Sequence, residues 1–254
     1  MSSKVTTQSL RKFNLIMGVL HLAQGTAILI LSKVFTLPLS GSYLKFNMAT
    51  QSLEPTNKVL FDISLPILIA IFFFISATFH FVIATVKNDK YNKDLSSGIN
   101  KFRWIEYSIS ASIMMVAISL LVGVYDAMSL IMIFALTSIM NSMGLVMEVH
   151  NQTTKKTNWL SFWIGSVAGL IPWLVIAFYF WLGADNGSSA PTFVYWIFVS
   201  IFIFFNCFAV NMVLQYKKIG PWKDYLYGER AYIILSLVAK SLLAWQVFAG
   251  TLRP

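Results

Sequence analysis

The stretch Ala231-Tyr232-Ile233-Ile234-Leu235-Ser236-Leu237-Val238-Ala239-Lys240-Ser241-Leu242-Leu243-Ala244-Trp245 decides how this chain is read. It opens a run from 231 to 252 in which Lys240 is the sole charged residue. The run is long enough to cross a hydrocarbon core of roughly 30 Å, which takes about 20 helical residues. Lys240 then lies about 15 Å along the helix from Arg230, near the middle of that core. A lysine at that depth costs some kilocalories per mole and is too far in for its stem to reach the interface, so it points to function.

Working outward, the rest of the chain has the same character. Its 254 residues are 57% hydrophobic and 11% charged, with a mean hydropathy of +0.70; ordinary soluble domains are about a quarter charged. A soluble globular fold is excluded. Stretches without Asp, Glu, Lys or Arg, Lys240 apart, give seven candidate spans: 13–32, 63–86, 107–125, 127–147, 157–184, 186–216 and 231–252. The expected fold is an all-α membrane protein, one domain over 1–254 with seven transmembrane helices. Spans three and four, and five and six, are separated only by Asp126 and by the Gly183–Pro191 stretch, so both pairs read as tight antiparallel hairpins. Between Ser32 and Lys58, Pro38, Gly41, Pro55 and the alternating Tyr43-Leu44-Lys45-Phe46-Asn47 indicate a short extramembrane β-hairpin. The first thirteen residues lead into span one without a small-residue cleavage site, which reads as a retained span rather than a removed signal peptide.

The net charge of +9 arises from basic residues in loops beside apolar runs, which reads as a topology signal and not as a nucleic-acid surface. The N-terminus and the 2–3, 4–5 and 6–7 connections hold 14 Lys and Arg: Lys4, Arg11, Lys12, Lys87, Lys90, Lys93, Lys101, Arg103, Lys155, Lys156, Lys217, Lys218, Lys223 and Arg230. The opposite side holds 4: Lys33, Lys45, Lys58 and Arg253. By the positive-inside rule the N-terminus is expected in the cytoplasm and the C-terminus outside, in a multi-pass protein of the cell membrane.

A buried amine serves two chemistries: condensation with an aldehyde to form a Schiff base, or an ion pair in a transporter. Both need an acid. The candidate is Glu106, near the start of span three, with Arg103 as its alternative partner. Ser110 lies one turn beyond Glu106 and Ser236 one turn before Lys240, so both hydroxyls are set to bridge acid and amine. His21 and His80 sit about 12 and 10 Å inside the same membrane face, which points to a polar, hydrated cavity on the cytoplasmic side of Lys240. His150 reads as a loop residue. Beyond Lys240 the spans hold no Asp, Glu, His or Arg well inside, since Asp62 and Asp126 lie at helix ends. A pump needs polar groups on both sides of its central site, so this asymmetry argues against one. Trp163, Trp173, Phe205 and Trp245 lie well within spans five to seven, and some of them must wall any slot for a flat conjugated molecule. Pro172 is expected to kink span five. Cys207, the single cysteine, is a core residue, and no metal-binding spacing is present. No nucleophile, metal site or phosphate loop suggests an enzyme.

Seven spans, a lysine midway along the seventh and Arg103-x-x-Glu106 on the third resemble a microbial rhodopsin. Closer still, Phe102-Arg103-Trp104-Ile105-Glu106-Tyr107-Ser108, Phe204-Phe205-Asn206, Gly228-Glu229-Arg230-Ala231-Tyr232 and the Lys240 stretch resemble the heliorhodopsin family. The resemblance runs the whole length of the chain, including the long first loop. It implies a rhodopsin-like bundle of inverted topology, with all-trans-retinal held covalently by Lys240 as a protonated Schiff base and Glu106 as counterion. It further implies that His21, His80, Ser76 and Ser236 belong to a cavity near that base, and that Tyr107, Met140, Trp163 and Phe205 pack on the polyene. Where proton-pumping rhodopsins carry a second acid and a donor acid, this chain has Ser236 and Ala117, which fits a slow photocycle without ion pumping, suited to signalling. The expected partners are the lipid bilayer, a second copy in a homodimer, and an unidentified cytoplasmic signalling protein. Light-driven or light-gated proton transport, and a non-photoactive transporter using Lys240 and Glu106, are the competing readings.

Overall fold

The computed structural model describes residues 5–187 and 190–254. Lys4, counted among the basic residues above, and Ser188 and Ser189 of the Gly183–Pro191 connection lie outside the described residues. In chain order the elements are α1 (Thr7–Leu31), β1 (Thr36–Asn47), β2 (Ser52–Ser64), α2 (Leu65–Ala84), α3 (Asn88–Ser96), α4 (Lys101–Leu121), α5 (Ala127–His150), α6 (Leu160–Asp185), α7 (Thr192–Tyr216) and α8 (Tyr225–Val247). A turn of 3₁₀-helix (Gly220–Lys223) precedes α8, and a π turn (Phe248–Leu252) extends it. Among the described residues seven helices, all but α3, are long and apolar enough to cross a membrane.

In hydrocarbon every backbone N–H and C=O must be paired within the segment, and a helix does this by itself. Four of the helices, α1, α4, α5 and α8, begin at a polar side chain that caps the first turn. Thr6 and Ser9 form a capping box at α1, Asn100 accepts the Arg103 N–H at α4, Asp126 accepts that of Ser129 at α5, and Asp224 that of Leu226 at α8.

Several helices exceed their expected spans. α1 starts at Thr7, α4 at Lys101 and α8 at Tyr225. A count that stops at charged residues shortens helices whose end charges are paired or reach the headgroups. His150, read as a loop residue, is the exposed last residue of α5. α6 runs unbroken through a buried Pro172. The α2–α4 connection contains the helix α3, which buries Tyr91 and Leu95 and which the sequence reading did not resolve.

α1 packs on α2, α2 on α4, α4 on α5, α5 on α6, α7 on α8, and α8 on α1. Small residues set the closest approaches: a Cβ on Gly144 of α5 would come within 2.4 Å of the Trp104 ring on α4, and one on Gly169 of α6 within 2.1 Å of Met140 Sδ on α5. The hairpin is longer than expected, pairing antiparallel from Thr36↔Ser64 to Asn47↔Ser52 with a bulge at Leu39/Ser40. Its base is tied to the bundle: Ser40 N–H donates to Tyr125 O (2.8 Å) and Ser42 Oγ to Asp126 Oδ1 (3.4 Å).

The interior has two characters. Towards the hairpin end an apolar core gathers Ile28, Leu65, Phe72, Phe73, Ile118, Leu243 and Val247. Towards the N-terminal end lie the buried Asn14, His21, His80, Asn100, Arg103, Glu106, Glu148 and Glu229. Lys240 stands between the two.

Asp126 joins hairpin to helix, and the hydrogen bonds from Ser129 hold its carboxyl below the ordinary aspartate value. A depressed carboxyl stabilises the fold above the ordinary pKa of about 3.9, and that stability is lost as pH falls through the lower folded value. Asp126→Ala is expected to destabilise by about 1 kcal/mol at neutral pH through the lost cap. Asp126→Asn, which also caps, should lose less and weaken the acid sensitivity. Thermal unfolding followed by circular dichroism at neutral and acid pH measures both.

Candidate functional site

Lys240 lies two-thirds of the way along α8 and is only 2% exposed. Its Nζ is 3.3 Å from Glu106 Oε1 and donates to Ser236 Oγ, one turn earlier, at 2.7 Å. From α2, Ser76 Oγ donates to the same Glu106 oxygen at 2.6 Å. The amine also stands 5.2 Å from the centre of the Tyr107 ring, which is held by its hydroxyl's bond to Tyr232 O at 2.9 Å. Of the alternatives for Glu106, the structure selects Lys240 over Arg103.

The other polar candidates surround this pair. His80 Nδ1 and Asn14 Oδ1 are 2.7 Å apart, and His21 stacks on His80 with ring centroids 5.3 Å apart. Both His21 nitrogens and Ser110 Oγ are buried without a hydrogen-bond partner in the chain. A cavity of about 30 Å³ touches Ser76, His80, Arg103, Glu106, Glu229 and Ser236. That is room for one or two waters with several polar partners.

On its other side Lys240 opens into an apolar cavity of about 40 Å³ whose walls include Tyr107, Met114, Met140, Phe205 and Phe208. A second cavity, of about 180 Å³, shares Met140, Asn141, Phe205 and Phe208 with it and reaches Trp173, Gly165 and Gly169 between α5, α6 and α7. Met140 is the flexible divider: its thioether fills the space over Gly169 and is the side chain able to swing aside for a long ligand spanning both. Trp163 does not belong here. It is 64% exposed on α6, whereas Trp173, ten residues on and about 80° around the helix, is 5% exposed and lines the larger cavity.

The sequence reading missed a second buried cluster. It placed Arg103 in a loop as a topology charge, yet Arg103 is buried, paired with both Glu148 of α5 and Glu229 of α8. Its guanidinium lies 4.0 Å from the Tyr232 ring centre and 4.7 Å from that of Trp104. Glu148 also accepts from Trp104 Nε1 (2.7 Å) and Asn100 N (2.8 Å), and Glu229 from Asn100 Nδ2 (2.6 Å). Tyr91, on α3, donates to Glu229 at 3.3 Å; burial beside that carboxylate pushes its phenol well above the ordinary value, so it remains a neutral donor. The sequence signal was present in the acids at 148 and 229, just beyond the ends of two candidate spans. Their common partner was not.

The sequence model of one protein family, described as Heliorhodopsin, matches residues 10–252. No curated protein matches the chain significantly. Retinal, which that family binds, fits the residues present: a buried primary amine faces a single carboxylate at the mouth of an apolar, aromatic-walled slot.

Removing one partner of a buried ion cluster strands the other charge, at about 3–5 kcal/mol. Glu229→Ala is therefore expected to lower thermal stability strongly, and Glu229→Gln, which keeps hydrogen bonds to Asn100 and Arg103, less so. Equal stability of both variants and the parent in detergent would remove the cluster's structural role.

Proposed function

The chain belongs to the heliorhodopsin family, and from that premise we propose that its Lys240 Nζ carries all-trans-retinal covalently, with Glu106 as the counterion. The family makes it a retinal-binding, light-sensing rhodopsin and a multi-pass membrane protein rather than a classical enzyme. Retinal joined at that nitrogen supplies a light-absorbing, isomerising polyene and a positive charge in the membrane interior. The chain's own residues do the rest. The observation that carries the reading is the Lys240–Glu106 pair, 3.3 Å apart, where the polar half of the bundle meets the apolar slot.

Glu106 balances the charge at Nζ, and Ser76 and Ser236 orient the two groups. Tyr107, Met140 and Phe205 confine the slot, with Trp173 in the role expected of Trp163. A proton leaving Nζ has nearby acceptors in Glu106 and in the small cavity lined by His80, beside which His21 is stacked. On the hairpin side it meets the apolar core. Two-sided relay groups are thus lacking among the described residues, which supports a slow photocycle without pumping, used for signalling. Proton transport is the alternative, and the dry side counts against it. An ion-pair transporter remains the reading should no pigment form.

The excess of basic residues at the N-terminal end supports the inverted insertion, N-terminus in the cytoplasm. We assign the whole of 1–254 to one retinal-binding domain. We also assign a homodimer through the hairpin, whose Tyr43, Leu44, Phe46, Leu53, Val59 and Phe61 are exposed and apolar. A cytoplasmic signalling partner completes the proposal.

Expression with all-trans-retinal is expected to yield a visible absorption band that light and hydroxylamine bleach and that Lys240→Ala lacks; a band persisting in that variant overturns the assignment. Glu106→Gln should move the band to longer wavelength, because the cation loses its anion. An unshifted band would reject the counterion. Illuminated cell suspensions should show no sustained pH change, and a steady uncoupler-sensitive change would favour transport.

A further inference from the structure

A fourth cavity, of about 380 Å³, opens at the N-terminal end of the bundle, where the α3–α4, α5–α6 and α7–α8 connections meet. It is larger than any of the three cavities around the Lys240 site and falls within the roughly 300–1,000 Å³ of small-molecule sites. Three lysines line it, one from the α5–α6 loop and two from the α7–α8 connection: Lys155, Lys218 and Lys223. Among the described residues none of them is within salt-bridge distance of a carboxylate. Two acids next to lining residues are otherwise engaged. Asp224, next to Lys223, caps α8 through the Leu226 N–H at 3.0 Å, and Glu148, under the floor, is held by Arg103, Trp104, Asn100 and Tyr225.

The walls are braced. Asn151 Oδ1 accepts from Asn158 N (2.6 Å) and Thr154 Oγ1 (3.0 Å), closing the α5–α6 loop on itself. Trp222 Nε1 donates to Asn211 Oδ1 at 2.6 Å, and Gln215 Nε2 to Tyr225 O at 3.1 Å. Two lining residues, Gly98 and Lys218, turn the chain with positive φ, 70° and 53°; for a lysine that conformation is uncommon and directs the chain around the cavity. Gathering three unneutralised ammonium groups on one concavity costs repulsion that an anion relieves, and the Thr157 hydroxyl and the second amide N–H of Gln152, whose first donates to Glu148 O at 3.2 Å, are further donors on its wall.

We propose that this cavity binds a phosphate group, carried by a small soluble molecule or by a lipid headgroup. Lysines at this membrane face attract both, and the proposal stands whether or not Lys240 carries retinal.

The test uses the full-length protein in dodecyl maltoside, titrated calorimetrically with pyrophosphate at constant ionic strength, and the same titration in phosphatidylcholine nanodiscs with and without phosphatidic acid. Saturable binding at one site is expected in detergent, weakened roughly tenfold or more by Lys155→Gln/Lys218→Gln/Lys223→Gln and in part by Lys218→Gln alone. Lys87→Gln/Lys90→Gln/Lys93→Gln, which removes equal charge at the same face but outside the cavity, should leave it unchanged. Loss of pyrophosphate binding when phosphatidic acid is present identifies the headgroup as the source, and unaltered binding there identifies a soluble ligand. No saturable binding in detergent or plain nanodiscs, or equal weakening by both lysine sets, overturns the proposal.

Discussion

A single ammonium near the middle of a membrane is the constraint around which this protein is organised. Lys240 cannot reach bulk water and stands against one carboxylate, Glu106, with hydroxyls from Ser76 and Ser236 completing the contacts. Three helices, α2, α4 and α8, must therefore meet at one depth. The ion pair itself is a poor source of stability, since desolvating both charges offsets their attraction. Its value is positional: it fixes where a charge is kept and which side of the bundle a proton can leave by.

Arg103 keeps that pair simple. One turn from Glu106, it could have captured the carboxylate, but Glu148 and Glu229 engage its guanidinium, with aromatic rings of Tyr232 and Trp104 close by. Glu106 is left to Lys240. The two clusters touch the same 30 Å³ cavity, so they share a polar compartment that the apolar core on the hairpin side does not extend. The asymmetry of the function we propose follows from this asymmetry of packing.

How much of this could be read from sequence depended on whether a residue's meaning was local. Lys240 announced itself because depth along one helix is a local quantity. Glu106 and Ser236 followed from one-turn spacings, and the seven spans from charge-free runs. The Arg103–Glu148–Glu229 cluster was hidden because it joins residues far apart in the chain on three different helices, and because a rule that ends spans at charges put its members in loops. Trp163 came from the family resemblance, and the sequence could not correct it in favour of Trp173, since α6 is apolar around its circumference and leaves no periodicity to tell its inner from its outer face. The hairpin was visible only where polar and apolar residues alternate; beyond Lys58 its residues merge with the apolar start of α2, and pairing to 64 shows only once β1 is in place. The family resemblance supplied the retinal, which no spacing could name.

The most direct test of Lys240 as the attachment site is to reduce the retinal-reconstituted protein with borohydride, digest it, and locate the retinyl mass by tandem mass spectrometry. The adduct is expected on the peptide containing Lys240 and on no other lysine. An adduct elsewhere, or a visible pigment that yields no adduct at Lys240, would contradict that attachment.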